Sequence, residues 1–208
     1  MIESKVAKGF FQVMLDNNHA VFKDDPILQK FLQKKQQKWH RKKLSTETFQ
    51  ILQDSGILTA EQTSTALFDV TNTIKIFNKP HSTRNHLPGN SHIAYRYCSH
   101  TFLGSIIDIV QLPNHPVPLL IVQSLLPLDS SDEMKSPFAS LPEVLQACVV
   151  YDKYSKLHCI QCNDVAAQLV VVTNLAGTFG IDQKTLSIVA LTNIVSLLHN
   201  PTTMIHSD

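Results

Sequence analysis

The sequence predicts an α+β fold: a helical N-terminal region, a small antiparallel β barrel or sandwich, and a C-terminal packing helix. Three observations predict it. Apolar residues recur at helical spacing before Phe68, the period falls to two between Thr71 and Thr173, and a final helical stripe follows Asp182. Residues 1–68 are the expected basic helical region, and residues 69–208 the β-rich domain with its terminal helix. A chain of 208 residues with 43% hydrophobic residues buries roughly 70% of its unfolded surface. Such a core requires neither disulfide nor metal for stability.

The first helix runs from Ile2 to Leu15, with Val6, Phe10, Val13 and Met14 on one stripe and Asn17-Asn18 behind it. The second opens with Asp25 as N-cap and Pro26 at the first helical position, where a missing N–H is no loss. Leu28, Phe31, Leu32 and Trp39 take one side of it. The other side is cationic: Lys30, Lys34, Lys35, Lys38, Arg41, Lys42 and Lys43 fall between Ile27 and Lys43 with no acidic residue, a charge of +7. Because the chain has 18 Lys and Arg against 17 Asp and Glu, everything outside this segment sums to −6. Ser45 caps a third helix through Gln53, stopped by Ser55-Gly56, and Thr59-x-x-Gln62 is a capping box for a fourth through Phe68.

Beyond Phe68 the pattern is that of strands. Thr71 to Phe77 alternates, and Asn78 to Ser91, rich in Pro and Asn, reads as a long loop. His92 to Cys98, Thr101 to Leu112 and Val117 to Leu125 are the strongest strand candidates, the last two joined through Pro113-Asn114-His115-Pro116. An exposed loop from Pro127 to Pro142 carries Asp129, Asp132 and Glu133. Ala147 to Tyr151 and Lys156 to Cys162 follow as two strands around an Asp152 to Ser155 turn, then Ala167 to Thr173. The terminal helix is Gln183 to His199, with Leu186, Val189, Ala190, Ile194, Leu197 and Leu198 facing the sheet before Asn200-Pro201.

The basic segment is the leading functional feature. Lys34, Lys35, Lys38, Arg41, Lys42 and Lys43 suit phosphate contact with counterion release, and Trp39 suits stacking on an unpaired base. The same run also fits a nuclear import signal or a solvated helix face. The expected partners are nucleic acid, DNA or RNA, or an acidic protein surface; no membrane partner is expected, because no apolar run reaches the ~20 residues of a bilayer span. Four cysteines, no secretory leader and no glycosylation acceptor point to a nuclear or cytoplasmic protein.

Cys159 and Cys162, with Cys98, His81, His86, His92 and His100 upstream, raise the question of zinc. Residues three apart on a strand face opposite ways, so no metal site and no cofactor is assigned. Catalytic residues are likewise assigned to none: the chain lacks a nucleophile elbow, a phosphate-cradling glycine loop and a dinucleotide fingerprint. An unrecognised hydrolase using His100 and Asp108 is the third reading. Asp108 alternates with Ile106 and Val110, so either the carboxylate has a buried partner or those aliphatics are exposed.

Within Lys75 to Asn163, several segments resemble a known region: His81-Ser82-Thr83-Arg84-Asn85-His86, Ser91-His92-Ile93-Ala94-Tyr95, Gly104 through Leu112, Leu125-Leu126-Pro127, and Ala147-Cys148-Val149-Val150-Tyr151-Asp152. They resemble a β-rich accessory region of transposon-derived invertebrate proteins, similar to the small barrel of bromo-adjacent-homology modules. That resemblance implies an accessory or interaction module rather than a transposase. The expected function is therefore a non-enzymatic nucleic-acid or chromatin-associated binding module. A protein–protein interaction adaptor with a basic localisation helix is the alternative.

Overall fold

In the computed structural model, which describes residues 38–58, 64–139 and 147–191, the backbone ladder of the main sheet closes on itself. The strands are β1 (His40–Lys43), β2 (Leu67–Thr71), β3 (Thr73–Ile76), β4 (Lys79–Ser82), β5 (His92–Tyr97), β6 (His100–Gln111), β7 (Leu119–Pro127), β8 (Ala147–Gln161), β9 (Val165–Asn174) and β10 (Thr185–Ala190). Going round, β6 bonds β7, β7 bonds β8, β8 bonds β10, β10 bonds β9, β9 bonds β5 and β5 returns to β6, always antiparallel. Closure leaves these six strands without a free edge. Strand β2 continues the sheet along the far end of β6, and β1 lies outside β2. Strands β3 and β4 make a separate hairpin.

One apolar cluster draws on all six ring strands and fills the barrel: Ala94, Leu125, Val150, Ala167, Leu169, Leu186 and Ile188, with Leu103 packed against them. A second lies between the sheet and helix α1 (Thr46–Asp54), whose Phe49 and Leu52 meet Phe68, Val70, Val110, Leu119 and Ile121. In a third, Ile74 and Ile76 of the small hairpin pack with Ile93, Tyr95, Ile106, Ile109, Leu120 and Val122. Strand β7 is buried on both faces as a result, which explains its unbroken apolar run of Leu119 to Val122.

The α+β class with a helical N-terminal region and a C-terminal packing helix is corrected: the described residues are mostly β. The end of the expected basic helix is strand β1. Lys and Arg tolerate a helix well, but here the ladder to β2 sets Arg41 opposite Asp69, and a cross-strand opposite-charge pair favours the extended form. The expected terminal helix is overturned at residues 185–190. Leu186, Ile188 and Ala190 alternate inward as β10, and the gap between β8 and β9 satisfies both edges of that strand. Of the fourth expected helix, Leu67 and Phe68 belong to β2. The first helix, most of the second, residues 59–63 and residues 192–199 lie outside the described residues.

Two further expectations change. The supposed turn Asp152 to Ser155 lies inside β8, which runs for 15 residues while its register against β7 shifts twice, so the strand bends without stopping. The loop from Asn78 to Ser91 contains β4 and a short 3₁₀ turn, Pro88–Asn90. Helix α1 agrees with its signals: Ser45 Oγ accepts from the Thr48 N–H at 3.1 Å, and Gly56 turns the chain away at φ 66°. A single helical turn, α2 (Ser130–Glu133), interrupts the acidic loop. No helix among the described residues is long and apolar enough to cross a membrane.

Candidate nucleic-acid interface

Strand β1 is the edge of the sheet among the described residues, and all four of its side chains are exposed. Strand alternation places Arg41 and Lys43 on one side and His40 and Lys42 on the other, with same-side residues about 6.7 Å apart. Arg41 Nε lies 3.6 Å from Asp69 Oδ1 and Lys42 Nζ 3.9 Å from Asp108 Oδ1. Lys38, exposed just before the strand, and Lys43 have no carboxylate partner among the described residues. Over His40–Lys43 the expected cationic helix face is a cationic strand edge, partly countered by two acids. Lys34 and Lys35 lie outside the described residues. Trp39 is half-buried and packs against the cluster that holds Ile74, Ile76 and Tyr95, which occupies its ring.

Asp108 has its partner. Thr48 Oγ1 of α1 donates to Asp108 Oδ2 at 2.7 Å, and Ser45 Oγ donates to Thr48 Oγ1 at 3.0 Å. A bulge explains the placement: Ile106 is opposite Val122 but Asp108 is opposite Ile121, so Ile107 is extra. Asp108 consequently shares the helix-facing side with Val110 but not with Ile106, which packs in the other cluster. His100 and Asp108 sit eight residues apart on β6, about 26 Å along an extended strand, so β6 does not bring them together.

Around His158 the aromatics converge. Its ring is parallel to Tyr97, 4.2 Å between centroids and 7° between planes, while Phe102 approaches edge-on at 5.0 Å. The Tyr95 hydroxyl lies 2.9 Å from His158 Nδ1. Burial pushes the Tyr95 pKa up and that of His158 down, Lys156 adding to the latter, so the hydrogen bond joins a neutral phenol to an imidazole whose neutral form is favoured. The acidic loop is likewise organised: the Tyr151 hydroxyl sits 2.9 Å from Asp129 Oδ2 and 2.7 Å from Asp132 Oδ2, and Lys135 Nζ donates to Asp132 at 2.7 Å. Hydrogen bonds from the backbone at Asp132, then from Ser131 and Tyr151, hold Asp129 at about 2.

Cys159 packs on the helix-side cluster and Cys162 on the cluster of Tyr95. Burial pushes the Cys159 thiol up to about 11 and the Cys148 thiol up to about 12. Both favour the protonated, unreactive form. One charged residue that the charge pattern does not single out, Arg84, is carried by the 83–91 segment onto the sheet beside β6 through its N–H bond to Ile106 O at 2.8 Å. Only the register of β6 reveals this, because nothing local to Arg84 signals it.

No protein-family model, no curated protein and no solved structure matches this chain.

Proposed function

We propose that this protein is a non-enzymatic binding module whose basic edge strand contacts a polyanion, nucleic acid foremost, in the manner of an accessory module. The observation that carries the reading is the exposure of every side chain from His40 to Lys43 on an edge strand, with Lys38 alongside. The two acids that meet this edge do not cancel it. Exposed pairs such as Arg41–Asp69, at 76% and 45% side-chain exposure, contribute roughly 0–1 kcal/mol. A phosphate can therefore take the place of Asp69 beside Arg41, and release of condensed counterions supplies the drive. Lys34 and Lys35 belong to the same basic run in the sequence.

The test replaces Lys38, Arg41, Lys42 and Lys43 with Gln and measures DNA and RNA affinity at two salt concentrations. The expected result is weaker binding and a salt slope shallower by about 3. Affinity and slope equal to those of the parent protein overturn the reading.

A second reading, the interaction adaptor, rests on β1 pairing with β2 along one edge alone among the described residues. Strand addition at the outer edge would use backbone hydrogen bonds, so it would tolerate salt and the Gln substitutions alike.

A further inference from the structure

A row of polar side chains crosses the inner face of the sheet just beyond the barrel core. His92 of β5 is opposite Ser105 of β6, which is opposite Gln123 of β7. The adjacent row, Ala94 opposite Leu103 with Leu125 beyond, is apolar and belongs to the barrel filling. Ser105 is fully buried and its hydroxyl meets that of Ser91 at 2.9 Å, so this part of the row is internally satisfied. His92, Gln123 and Tyr154 are half-buried and reach solvent.

Arg84 enters this row. Its Nη2 donates to Gln123 Oε1 at 3.3 Å, and its guanidinium carbon lies 4.1 Å from the centre of the Tyr154 ring. Nη1 is buried and has no hydrogen-bond partner, and no carboxylate among the described residues forms an ion pair with Arg84. A half-buried guanidinium without a counter-charge carries a standing desolvation cost. Around it the free groups are donors. Among the described residues, neither the Gln123 amide nitrogen nor the Tyr154 hydroxyl has a hydrogen-bond partner.

We propose that Arg84, Gln123 and Tyr154 form a binding site for a carboxylate, supplied by a small organic acid or by an acidic side chain of a peptide. The guanidinium turns on the face of Tyr154 to present Nη1, and the fork of Arg84 takes the two carboxylate oxygens. Charge selects a monoanion. Arg84 is the fixed positive group of the site; burial, and the charge of Arg84 itself, lower the pKa of His92, against the opposing field of Asp152. A phosphate dianion would remain under-compensated there. No β1 residue takes part, so the site stands or falls separately from the polyanion edge.

The experiment follows the side-chain N–H signals of Arg84 and Gln123 by ¹⁵N NMR during titration with acetate, with inorganic phosphate, and with a capped peptide containing one Glu or one Gln. Saturable shifts with acetate and with the Glu peptide, absent for the Gln peptide, are expected. A Glu peptide binding tenfold tighter than acetate identifies a peptide carboxylate as the source, and equal affinity a free acid. Arg84→Gln and Arg84→Lys should each weaken acetate at least tenfold in a protein whose backbone spectrum stays dispersed. Should Arg84→Gln unfold, Gln123→Met provides the comparison, with at least a threefold loss. Absence of saturation in the parent protein, unchanged affinity in these variants, or phosphate binding more tightly than acetate overturns the proposal.

Discussion

Thr48 and Asp108, 60 residues apart in the chain, are joined by a 2.7 Å hydrogen bond that fastens the first turn of α1 to β6. Thr48 is 1% exposed, and its hydroxyl also accepts from Ser45, the helix cap. Thr48→Val keeps the shape but leaves the Asp108 carboxylate without this donor. The expected loss is about 1–3 kcal/mol in urea unfolding. Asp108→Asn, which retains an acceptor oxygen, should cost less; equal stability of Thr48→Val and the parent would show that the bond carries no net weight.

Gly104 of β6 lies at a close approach to both Tyr95 and β7. A Cβ there would meet Gln123 O at 2.6 Å, Val122 Cγ1 at 2.9 Å and Tyr95 Cε1 at 3.0 Å. A backbone oxygen paired in a ladder cannot move aside cheaply, so Gly104→Ala should destabilise by about 1–3 kcal/mol. Gly89 provides the control, since a Cβ there meets nothing within 4 Å. Gly89→Ala should stay within about 0.5 kcal/mol of the parent by the same unfolding measurement.

Both two-residue hairpins turn through left-handed backbone without a glycine. Phe77 and Asn78 have φ of 48° and 63°, and Cys98 and Ser99 have 46° and 68°. These pairs of positive φ suit Asn-Gly, whereas Phe, at 70% exposure, gains little burial in exchange. The double change Phe77→Asn with Asn78→Gly should raise stability by about 1 kcal/mol, read as a higher Tm. A lower Tm would mean that the Phe77 ring holds the hairpin through contacts stronger than the backbone strain.

Acid should weaken the fold before the carboxylates titrate. His81, His92 and His158 each have a pKa lowered from 6.5, in every case chiefly by burial. The folded form thus binds fewer protons than the unfolded chain just below pH 6.5, so the stability these groups contribute is present above that value and lost as pH falls through their folded pKa. Urea midpoints should decline between pH 7 and pH 5, and His158→Phe should flatten part of the decline. A midpoint constant over that interval contradicts the assignment.

The strands most open to sequence reading were those whose composition alone is strand-like. The β-rich runs expected at His92 to Cys98 and Ala167 to Thr173 become β5 (His92–Tyr97) and β9 (Val165–Asn174). Likewise, Ser45 caps a helix that begins where its hydroxyl says it should. What resisted reading depended on distant partners. Leu186, Ile188, Val189 and Ala190 satisfy either period, and only the space between β8 and β9 decides for a strand. The side taken by Asp108 turns on one inserted residue, Ile107, that no composition betrays. The basic run was visible as charge, but its geometry was not: Arg41 and Lys42 diverge because a ladder with Leu67–Thr71 straightens them. Arg84 gave no local sign at all, since its meaning comes from Gln123 and Tyr154, on the third and fourth strands after it in sequence.

The late position of β10 constrains how this molecule comes into being. A chain emerging from the ribosome has β8 and β9 in hand before residues 185–190 exist, each with one row of amides and carbonyls still facing water. Last in sequence among the described strands, β10 is a keystone: without Thr185–Ala190 the facing edges of β8 and β9 are unpaired, and with it both are sealed.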